Sequence, residues 1–281
     1  MKVVHIAQAG RRFTALLDQQ GLLRDASALL SAFSGVPYSD GWFACLGSAP
    51  IGSLPVVDGP VRYLPCVQSV GKFIGIGLNY RDHAAEAGLT IPKQPIVFGK
   101  WTSSIAGAHD PIVLPPGSTH TDWEVELGVV IGKSGRAIPV EQALDHVAGY
   151  CVVNDITERH WQGLDGGQWA LAKGADSFGP IGPWLVSRDE IADPNALALW
   201  LEVDGVRHQN GHTAEMIFPV PELIAYLSRF MTLEPGDVIA TGTPAGVGMG
   251  HKPSAVYLKP GQIVRLGVEG LGVQEHRVEQ G

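Results

Sequence analysis

The stretch TDWEVELGVV, residues 121–130, decides the fold of this chain, because it places two carboxylates inside an apolar, β-branched run. Side chains alternate between the two faces of a strand, so Glu124 and Glu126 share one face and the apolar residues between them share the other. A third acid, Asp155, follows a second apolar run at 147–153. Burying unpaired carboxylates is costly. We therefore expect the three acids to bind a hard cation such as Mg²⁺, Mn²⁺ or Ca²⁺.

The same acids could instead form the solvated face of an amphipathic strand, as in many antiparallel sheets. Two features favour the buried interpretation. The first strand continues into the apolar residues 128–131, and Asp155 follows an equally apolar stretch. Three carboxylates on strands of the buried type predict a metal site.

Composition places the chain among proteins with a substantial core. Its 281 residues are 45% apolar and 17% charged, which suits one large domain with a small extra one. A net charge of −8 without a basic run argues against nucleic acid as a partner. The three cysteines lack CxxC spacing, and neither a signal peptide nor a membrane-length apolar stretch is found. We expect a cytoplasmic protein.

Two domains are predicted from the pattern of strands and turns. Short strands are expected at residues 2–7 and 13–18, followed by a turn at 19–21 and a further short strand. A Pro- and Gly-rich passage at 49–65 then suggests a boundary. We predict a small N-terminal α+β domain over residues 1–66 and a larger domain over 67–281.

The larger domain is predicted to be mainly β with flanking helices. Asp204-Gly205 predicts a tight hairpin turn. The segments LEPGDVI at 233–239 and LKPGQIV at 258–264 each predict a turn that leads into a strand. Helices are expected at 222–231 and, from a weaker pattern, at 140–147.

Three further segments carry residue types used in catalysis. After a strand that ends at Gly77, a short helix would place His83 and Glu86 on one face, where a carboxylate can orient an imidazole that acts as a base. Spacing alone favours an ordinary surface pair for His83 and Glu86. For Lys173, which enters a Gly- and Pro-rich turn, it favours a solvent-exposed side chain. The loop ATGTPAGVG at 240–248 offers N–H groups and hydroxyls that can bind a carboxylate or an oxyanion.

The motifs Asn79-Tyr80-x-x-His83-x-x-Glu86, Glu124-x-Glu126, Asn154-Asp155, Arg159-x-x-Gln162, Lys173-Gly174 and Gly242-Thr243-Pro244 follow one another along the chain. In this order they resemble the fumarylacetoacetate hydrolase superfamily over roughly residues 70–275. The closer similarity is to bacterial enzymes that act on 2,4-diketo-3-deoxy sugar acids, often labelled ureidoglycolate lyase. It implies the β-roll of the family's C-terminal domain, and a small N-terminal domain also fits. The closer similarity is carried by TDWEVEL at 121–127 and GPIGPWL at 179–185.

The resemblance implies a role for the acids and for the helical pair. Glu124, Glu126 and Asp155 would hold Mg²⁺ or Mn²⁺, to which a 2-oxo acid would bind. His83, oriented by Glu86, would activate a water molecule to attack the distal carbonyl.

It also implies the residues that bind and stabilise the substrate. Arg159, Gln162 and Lys173 would stabilise the oxyanion and the departing enolate, so Lys173 counts as both catalytic and substrate-binding. Thr243 would help to anchor the substrate carboxylate.

The implied reaction is hydrolysis of the C–C bond of a 2,4-diketo acid, which yields pyruvate and a second acid. Cleavage leaves an enolate, and a divalent cation can contribute several kcal/mol as a Lewis acid. The favoured substrate is a sugar acid such as 2,4-diketo-3-deoxyrhamnonate or its fuconate analogue, and a homodimer is expected. A hydratase, an isomerase or a 2-oxo acid decarboxylase of the oxaloacetate type is the alternative, although the His83–Glu86 pair favours attack by water.

One segment departs from the pattern of many relatives, which have Asn-Asp-Val-Ser-Ala-Arg-Asp where this chain has NDITERH at 154–160. Glu158 and His160 are therefore extra titratable groups beside the site. We expect both to face solvent rather than to tune substrate choice.

Two interpretations outside this enzyme class stay open. His120 and Asp122 match the first two ligands of an iron facial triad, with His212 or His251 as a third. That arrangement would leave the two strand glutamates without partners. The other possibility is a metal-bearing structural or binding protein with a catalytically silent site.

Overall fold

The computed structural model describes residues 1–164 and 166–281, and strands dominate this part of the chain, as predicted. The strands are β1 (Lys2–Gln8), β2 (Arg11–Leu17), β3 (Leu23–Asp25), β4 (Arg62–Tyr63), β5 (Phe73–Gly77), β6 (Ile96–Lys100), β7 (Ile105–Ala106), β8 (Ile112–Leu114), β9 (Thr121–Asp122), β10 (Val125–Ile131), β11 (Val147–Asn154), β12 (Thr157–Glu158), β13 (Gly179–Ser187), β14 (Ala198–Val203), β15 (Val206–His212), β16 (Val238–Ala240), β17 (Ile263–Val268) and β18 (Gly272–Gln280).

The helices are short and lie between the strands. The helix predicted at 222–231 is present and begins earlier, at Val220, where Pro221 fits the first turn of a helix. The weaker segment forms a 3₁₀ helix, Val140–His146. No described helix has the length and apolarity to cross a bilayer. The α-helices are α1 (Ser27–Leu30), α2 (Asp40–Leu46), α3 (Arg81–Ala87), α4 (Arg159–Gln162), α5 (Trp169–Ala172) and α6 (Val220–Ser228).

The described strands form one large sheet, one smaller sheet and an isolated pair. The large sheet has eleven strands in the order β3-β2-β1-β13-β11-β10-β16-β5-β6, with β4 beside β1 and β7 beside β13. The smaller sheet has the order β15-β14-β17-β18-β8, and β9 pairs with β12. Asp204 and Gly205 join β14 to β15 with positive φ angles, which confirms the predicted hairpin turn.

The N-terminal strands extend the large sheet. Lys2 of β1 lies opposite Val186 of β13 in an antiparallel ladder. Trp42 and Leu46 of α2 belong to the same apolar cluster as Val153 of β11. The boundary at residue 66 stays a prediction.

Strand β10 positions the candidate site because its two faces meet different surroundings. Val125 and Leu127 point into the main core, which also contains residues of β14, β17 and α6. Glu124 and Glu126 therefore point to the opposite face. Further along that face Val130 belongs to the apolar cluster that includes α2, so the acids occupy only the end of the strand that this cluster does not cover.

Candidate active site

The register of β10 and β11 brings the three predicted metal ligands together. Val125 lies opposite Asn154, and the Asp155 N–H donates to the Glu124 carbonyl oxygen at 2.9 Å. Carboxylate oxygens of Glu124, Glu126 and Asp155 lie within 4.8 Å of one another, and all three residues are buried. Within residues 1–164 and 166–281 this is the only such group of three or more potential ligands, so the iron facial triad is not assembled.

Lys173 lies between two of these carboxylates. Its Nζ is 2.8 Å from Glu124 Oε2 and 2.5 Å from Asp155 Oδ2, and it also donates to Thr157 Oγ1 at 2.8 Å. The residue is only 2% exposed, so the solvent position that spacing alone favours is wrong. Lys173 is instead part of the carboxylate cluster.

A second buried lysine, Lys100 at the end of β6, was not predicted. Its Nζ donates to Asp155 Oδ1 at 2.6 Å and to the carbonyl oxygens of Lys173 and Phe178 at 2.6 and 3.0 Å. The criterion that identified Asp155, a charged residue at the end of an apolar run, also applies to Lys100. Together the two lysines hold both oxygens of Asp155.

Arg159 links the cluster to Asp122. Its Nε donates to Asp122 Oδ2 at 2.8 Å, its Nη2 to Glu124 Oε1 at 2.6 Å and its Nη1 to Gln162 Oε1 at 3.1 Å. Asp122 also accepts backbone N–H groups of Gly248 and Met249 at 2.6 and 3.0 Å. The arginine thus positions a candidate ligand and orients the amide of Gln162.

The charges in the cluster are unevenly balanced. Burial opposes ionisation of Glu124, but the neighbouring Lys173 and Arg159 outweigh it and lower the pKa of Glu124 to about 2. Burial and the charges of Asp155 and Glu124 hold the pKa of Glu126 well above its usual range. Among the described residues Glu126 forms no ion pair, and one of its oxygens accepts the Gly242 N–H at 2.8 Å. An all-oxygen donor set, one member of which has no cationic partner among the described residues, fits a hard divalent cation.

His83 and Glu86 form the predicted pair on α3. His83 Nδ1 lies 3.2 Å from Glu86 Oε2, and Glu86 Oε1 accepts the Gly246 N–H at 2.9 Å. Burial alone raises the pKa of Glu86, but the hydrogen bonds from His83 and Gly246 outweigh it and leave that pKa lowered. Glu86 therefore fixes the ring of His83 and ties α3 to the loop that follows β16.

The loop 241–246 uses its hydroxyls internally, which corrects part of the prediction. Thr243 Oγ1 donates to the Val125 carbonyl oxygen at 2.9 Å and accepts from Gln209 Nε2 at 2.8 Å. Thr241 Oγ1 donates to the Leu127 carbonyl oxygen at 2.9 Å. Neither hydroxyl hydrogen is available to a substrate, so any anchoring donor from Thr243 is its backbone N–H.

The prediction for Glu158 was wrong, whereas His160 is exposed as expected. Glu158 is fully buried. Its carboxylate accepts from the hydroxyls of Ser118 and Thr121 and from the His120 N–H. Pairing of β9 with β12 brings these donors to it, so Glu158 organises the backbone next to Asp122.

One cavity of about 260 Å³ brings the candidate residues together. His83, the three carboxylates, Arg159, Gln162, Lys173 and Thr243 all line it, with Met249 and residues of β5 and β6. Leu78, at the entrance to α3, has a φ of +51°, a strained value for a side chain of this type. The arrangement combines a buried acidic centre, an oriented imidazole and an amide in a single space.

Comparisons with known proteins match this chain in both sequence and fold. The family model described as fumarylacetoacetate (FAA) hydrolase C-terminal matches residues 72–279. A Burkholderia lata protein named "Putative hydrolase" is 60% identical over 274 residues, which cover 98% of this chain and 97% of the relative. The solved structure of 2-hydroxyhepta-2,4-diene-1,7-dioate isomerase from Mycobacterium marinum is 31% identical, with a TM-score of 0.77 over 100% of this chain and 98% of that one. Maleylpyruvate hydrolase from Sphingobium sp. SYK-6, in complex with manganese(II) and pyruvate, is 29% identical, with a TM-score of 0.82 and full coverage of both chains.

Proposed function

The chain belongs to the fumarylacetoacetate hydrolase family, and from this membership we propose that it is a Mg²⁺-dependent hydrolase of 2,4-diketo acids. The products would be pyruvate and a second acid. The observation that carries the proposal is the buried Glu124, Glu126 and Asp155 cluster in one cavity with His83, whose ring is hydrogen-bonded to Glu86.

Glu124, Glu126 and Asp155 would hold the divalent cation. When bound, the cation supplies a Lewis acid for the negative charge that develops on a 2-oxo acid during C–C cleavage. Manganese in the maleylpyruvate hydrolase supports a divalent metal in this family, and Mg²⁺ or Mn²⁺ suits the all-oxygen donors.

His83 would act as the general base. If its Nδ1 carries the hydrogen and donates to Glu86, its Nε2 is left as the acceptor that takes a proton from water. The hydroxide equivalent adds to the C4 carbonyl, the C3–C4 bond breaks, and C3 of the resulting enolate takes up a proton to give pyruvate. One water is consumed, and one carboxylic acid is formed from the acyl group.

Three polar groups would bind and stabilise the reacting part of the substrate. Gln162, whose Oε1 is held by Arg159, can direct its amide hydrogens into the cavity. Lys173 places a positive charge beside the carboxylates, and the Thr243 N–H would anchor the substrate carboxylate. Arg159 acts on this set mainly by positioning Glu124 and Gln162.

Isomerisation is the second candidate function, because an isomerase is among the similar structures. The same base could move a proton on a 2-oxo acid without adding water, and hydration or decarboxylation could use the same cavity. The His83 ring, hydrogen-bonded to Glu86 and so oriented, favours hydrolysis, because hydrolysis needs a base that activates water in addition to the enolate chemistry.

The test is release of pyruvate from a panel of acylpyruvates and diketo sugar acids, measured with a coupled lactate dehydrogenase, with and without EDTA. The resemblance favours 2,4-diketo-3-deoxyrhamnonate or the fuconate analogue as substrate. Turnover that survives chelation would refute the mechanism, and proton exchange in D₂O without pyruvate release would favour an isomerase. Metal-dependent thermal stability without any turnover would indicate a silent site. We also propose that the protein is a homodimer. Its molar mass, measured by size-exclusion chromatography with light scattering, tests this.

A further inference from the structure

The wall of the cavity beyond the carboxylates is built from apolar side chains. It includes Leu78, Leu89, Ile96, Phe98, Trp169 and Met249. Leu89 and Met249 are 56% and 45% exposed, which places them at the mouth, while Phe98 and Trp169 lie further in. The path from the reacting centre to the mouth is therefore lined by hydrocarbon and aromatic rings.

Two glycines of β5 make room for the aromatic pair. A Cβ at Gly75 would lie 2.2 Å from Phe98 Cζ, and a Cβ at Gly77 would lie 2.6 Å from Trp169 Cζ3. Positions two apart share a face of a strand, so both rings lie directly on the backbone of β5. Their centroids are 5.3 Å apart with the planes inclined by 60°. The rings thus form one continuous apolar surface.

This surface begins at the reacting centre. Lys173 Nζ, which contacts Glu124 and Asp155, lies 4.9 Å from the centroid of the Phe98 ring. An acyl group that extends away from the carboxylates would therefore meet Phe98 first and Trp169 next.

Within the described residues, the polar side chains that line the cavity are those already assigned to the metal and the reacting carbonyls, apart from the indole N–H of Trp169. The two cations, Arg159 and Lys173, are held by Asp122, Glu124 and Asp155. Hydroxyls of a sugar tail would be buried with few partners, and a terminal carboxylate would find no free cation. Both cost binding energy, since buried polar groups need hydrogen bonds.

We infer that the acyl group of the substrate is apolar and uncharged, an alkyl or aryl chain in place of the polyol of a sugar acid. The inference rests on the proposed function, because it names the far end of the same 2-oxo acid. Phe98 and Trp169 are specificity-determining residues in this account, and Leu89 extends their surface to the mouth of the cavity.

Binding of 2-oxo acids that lack the 4-keto group tests the inference without catalysis. The protein with MgCl₂ is titrated calorimetrically with pyruvate, 2-oxobutanoate, 2-oxohexanoate, 2-oxooctanoate and 2-keto-3-deoxygluconate. We expect affinity to rise by up to ~4-fold per buried methylene. The polyhydroxylated acid should bind no tighter than 2-oxobutanoate.

Variants assign the effect to the wall. Leu89→Ser changes an exposed position and is not expected to affect folding; it should weaken 2-oxooctanoate ~4–10-fold and leave pyruvate unchanged. Trp169→Ser should remove the increase in affinity with chain length across the series of 2-oxo acids. Gly77→Ala should displace the indole and have the same effect. Phe230→Leu is the control, since Phe230 is 61% exposed at the end of α6 and does not line the cavity.

The outcomes separate this inference from the function on which it rests. A flat series with normal pyruvate binding, or tighter binding of 2-keto-3-deoxygluconate than of 2-oxohexanoate, would overturn the apolar acyl group and leave the hydrolase standing. If no 2-oxo acid binds in the presence of Mg²⁺, the proposed function fails and the inference fails with it. The inference is supported if affinity rises with chain length, if Leu89→Ser reduces this rise, and if Phe230→Leu leaves it unchanged.

Discussion

Replacement of Lys100 by methionine should strongly destabilise the protein. The Lys100 side chain is completely buried, and its ammonium is bonded to Asp155 Oδ1 and to the carbonyl oxygens of Lys173 and Phe178. Methionine fills a similar volume without supplying a charge or a donor. The change therefore isolates the electrostatic and hydrogen-bonding role of the lysine from its packing.

The magnitude follows from what the substitution leaves behind. Removing one partner of a buried ion pair typically costs ~3–5 kcal/mol, because the other charge stays buried and uncompensated. Two carbonyl oxygens also lose a donor, each worth ~1 kcal/mol. Lys173 still holds the second oxygen of Asp155, which moderates the loss. We expect the free energy of unfolding to fall by ~3–4 kcal/mol.

The measurement is urea unfolding of metal-free protein, followed by tryptophan fluorescence and circular dichroism. Lys72→Met is the matched control. Lys72 Nζ lies 2.6 Å from Asp237 Oδ2, but its side chain is 35% exposed, and Asp237 keeps backbone N–H groups of Lys72 and Glu234 at 2.8 Å. The control should lose no more than ~1 kcal/mol.

A fall of less than ~1 kcal/mol in the free energy of unfolding of Lys100→Met would refute the reasoning. The buried pair would then contribute no more than a surface ion pair does. Equal losses in both variants would refute it too, since burial would then have no effect. A large loss for Lys100→Met alone establishes Lys100 as the structural counter-ion of Asp155.

Three further predictions concern catalysis, metal binding and pH. His83→Asn and Glu86→Gln should each lower the rate of pyruvate release ~10²–10⁴-fold while Mg²⁺ still raises the thermal midpoint; undiminished rates would contradict the base. Glu126→Gln replaces an acid whose raised pKa already disfavours the charged form, so it should preserve or raise the metal-free midpoint and abolish the Mg²⁺-dependent rise, and a retained rise would exclude Glu126 as a ligand. Burial lowers the pKa of both His5 and His276 to about 4, so between pH 6.5 and 4 only the unfolded chain takes up these protons. The contribution of these two histidines to the free energy of unfolding is fully present above pH ~6.5 and should fall by ~3 kcal/mol per histidine as the pH approaches 4, as measured by urea unfolding. His276→Gln should reduce this dependence of the free energy on pH.

The candidate metal ligands were accessible from the sequence because their evidence is local. Alternation along residues 121–130 placed Glu124 and Glu126 on one face, and the apolar run before Asp155 marked a second buried strand. The His83–Glu86 contact is also local, since the two residues are three positions apart on one helix. Such patterns need no knowledge of which strands are neighbours.

Local patterns failed where the partner of a residue lies elsewhere in the chain. Glu158 was expected in solvent, yet it is buried because the pairing of β9 with β12 brings Thr121 to it, together with Ser118 and His120 of the segment before β9. The Thr243 hydroxyl was expected to be available, yet β10 lies alongside and accepts its hydrogen. In both cases pairing between distant strands supplied partners that spacing could not show.

By itself the sequence determined which residues are acidic within apolar strands, which helix carries the candidate base, and in what order the candidate catalytic segments follow one another. Only the tertiary structure decided how the charges are balanced and what surrounds the substrate. Lys100 reaches Asp155 across 55 positions of sequence, and the rings of Phe98 and Trp169 meet on the glycines of β5. The physical reason is that periodicity determines the face on which a side chain lies, whereas strand register and packing determine what it touches.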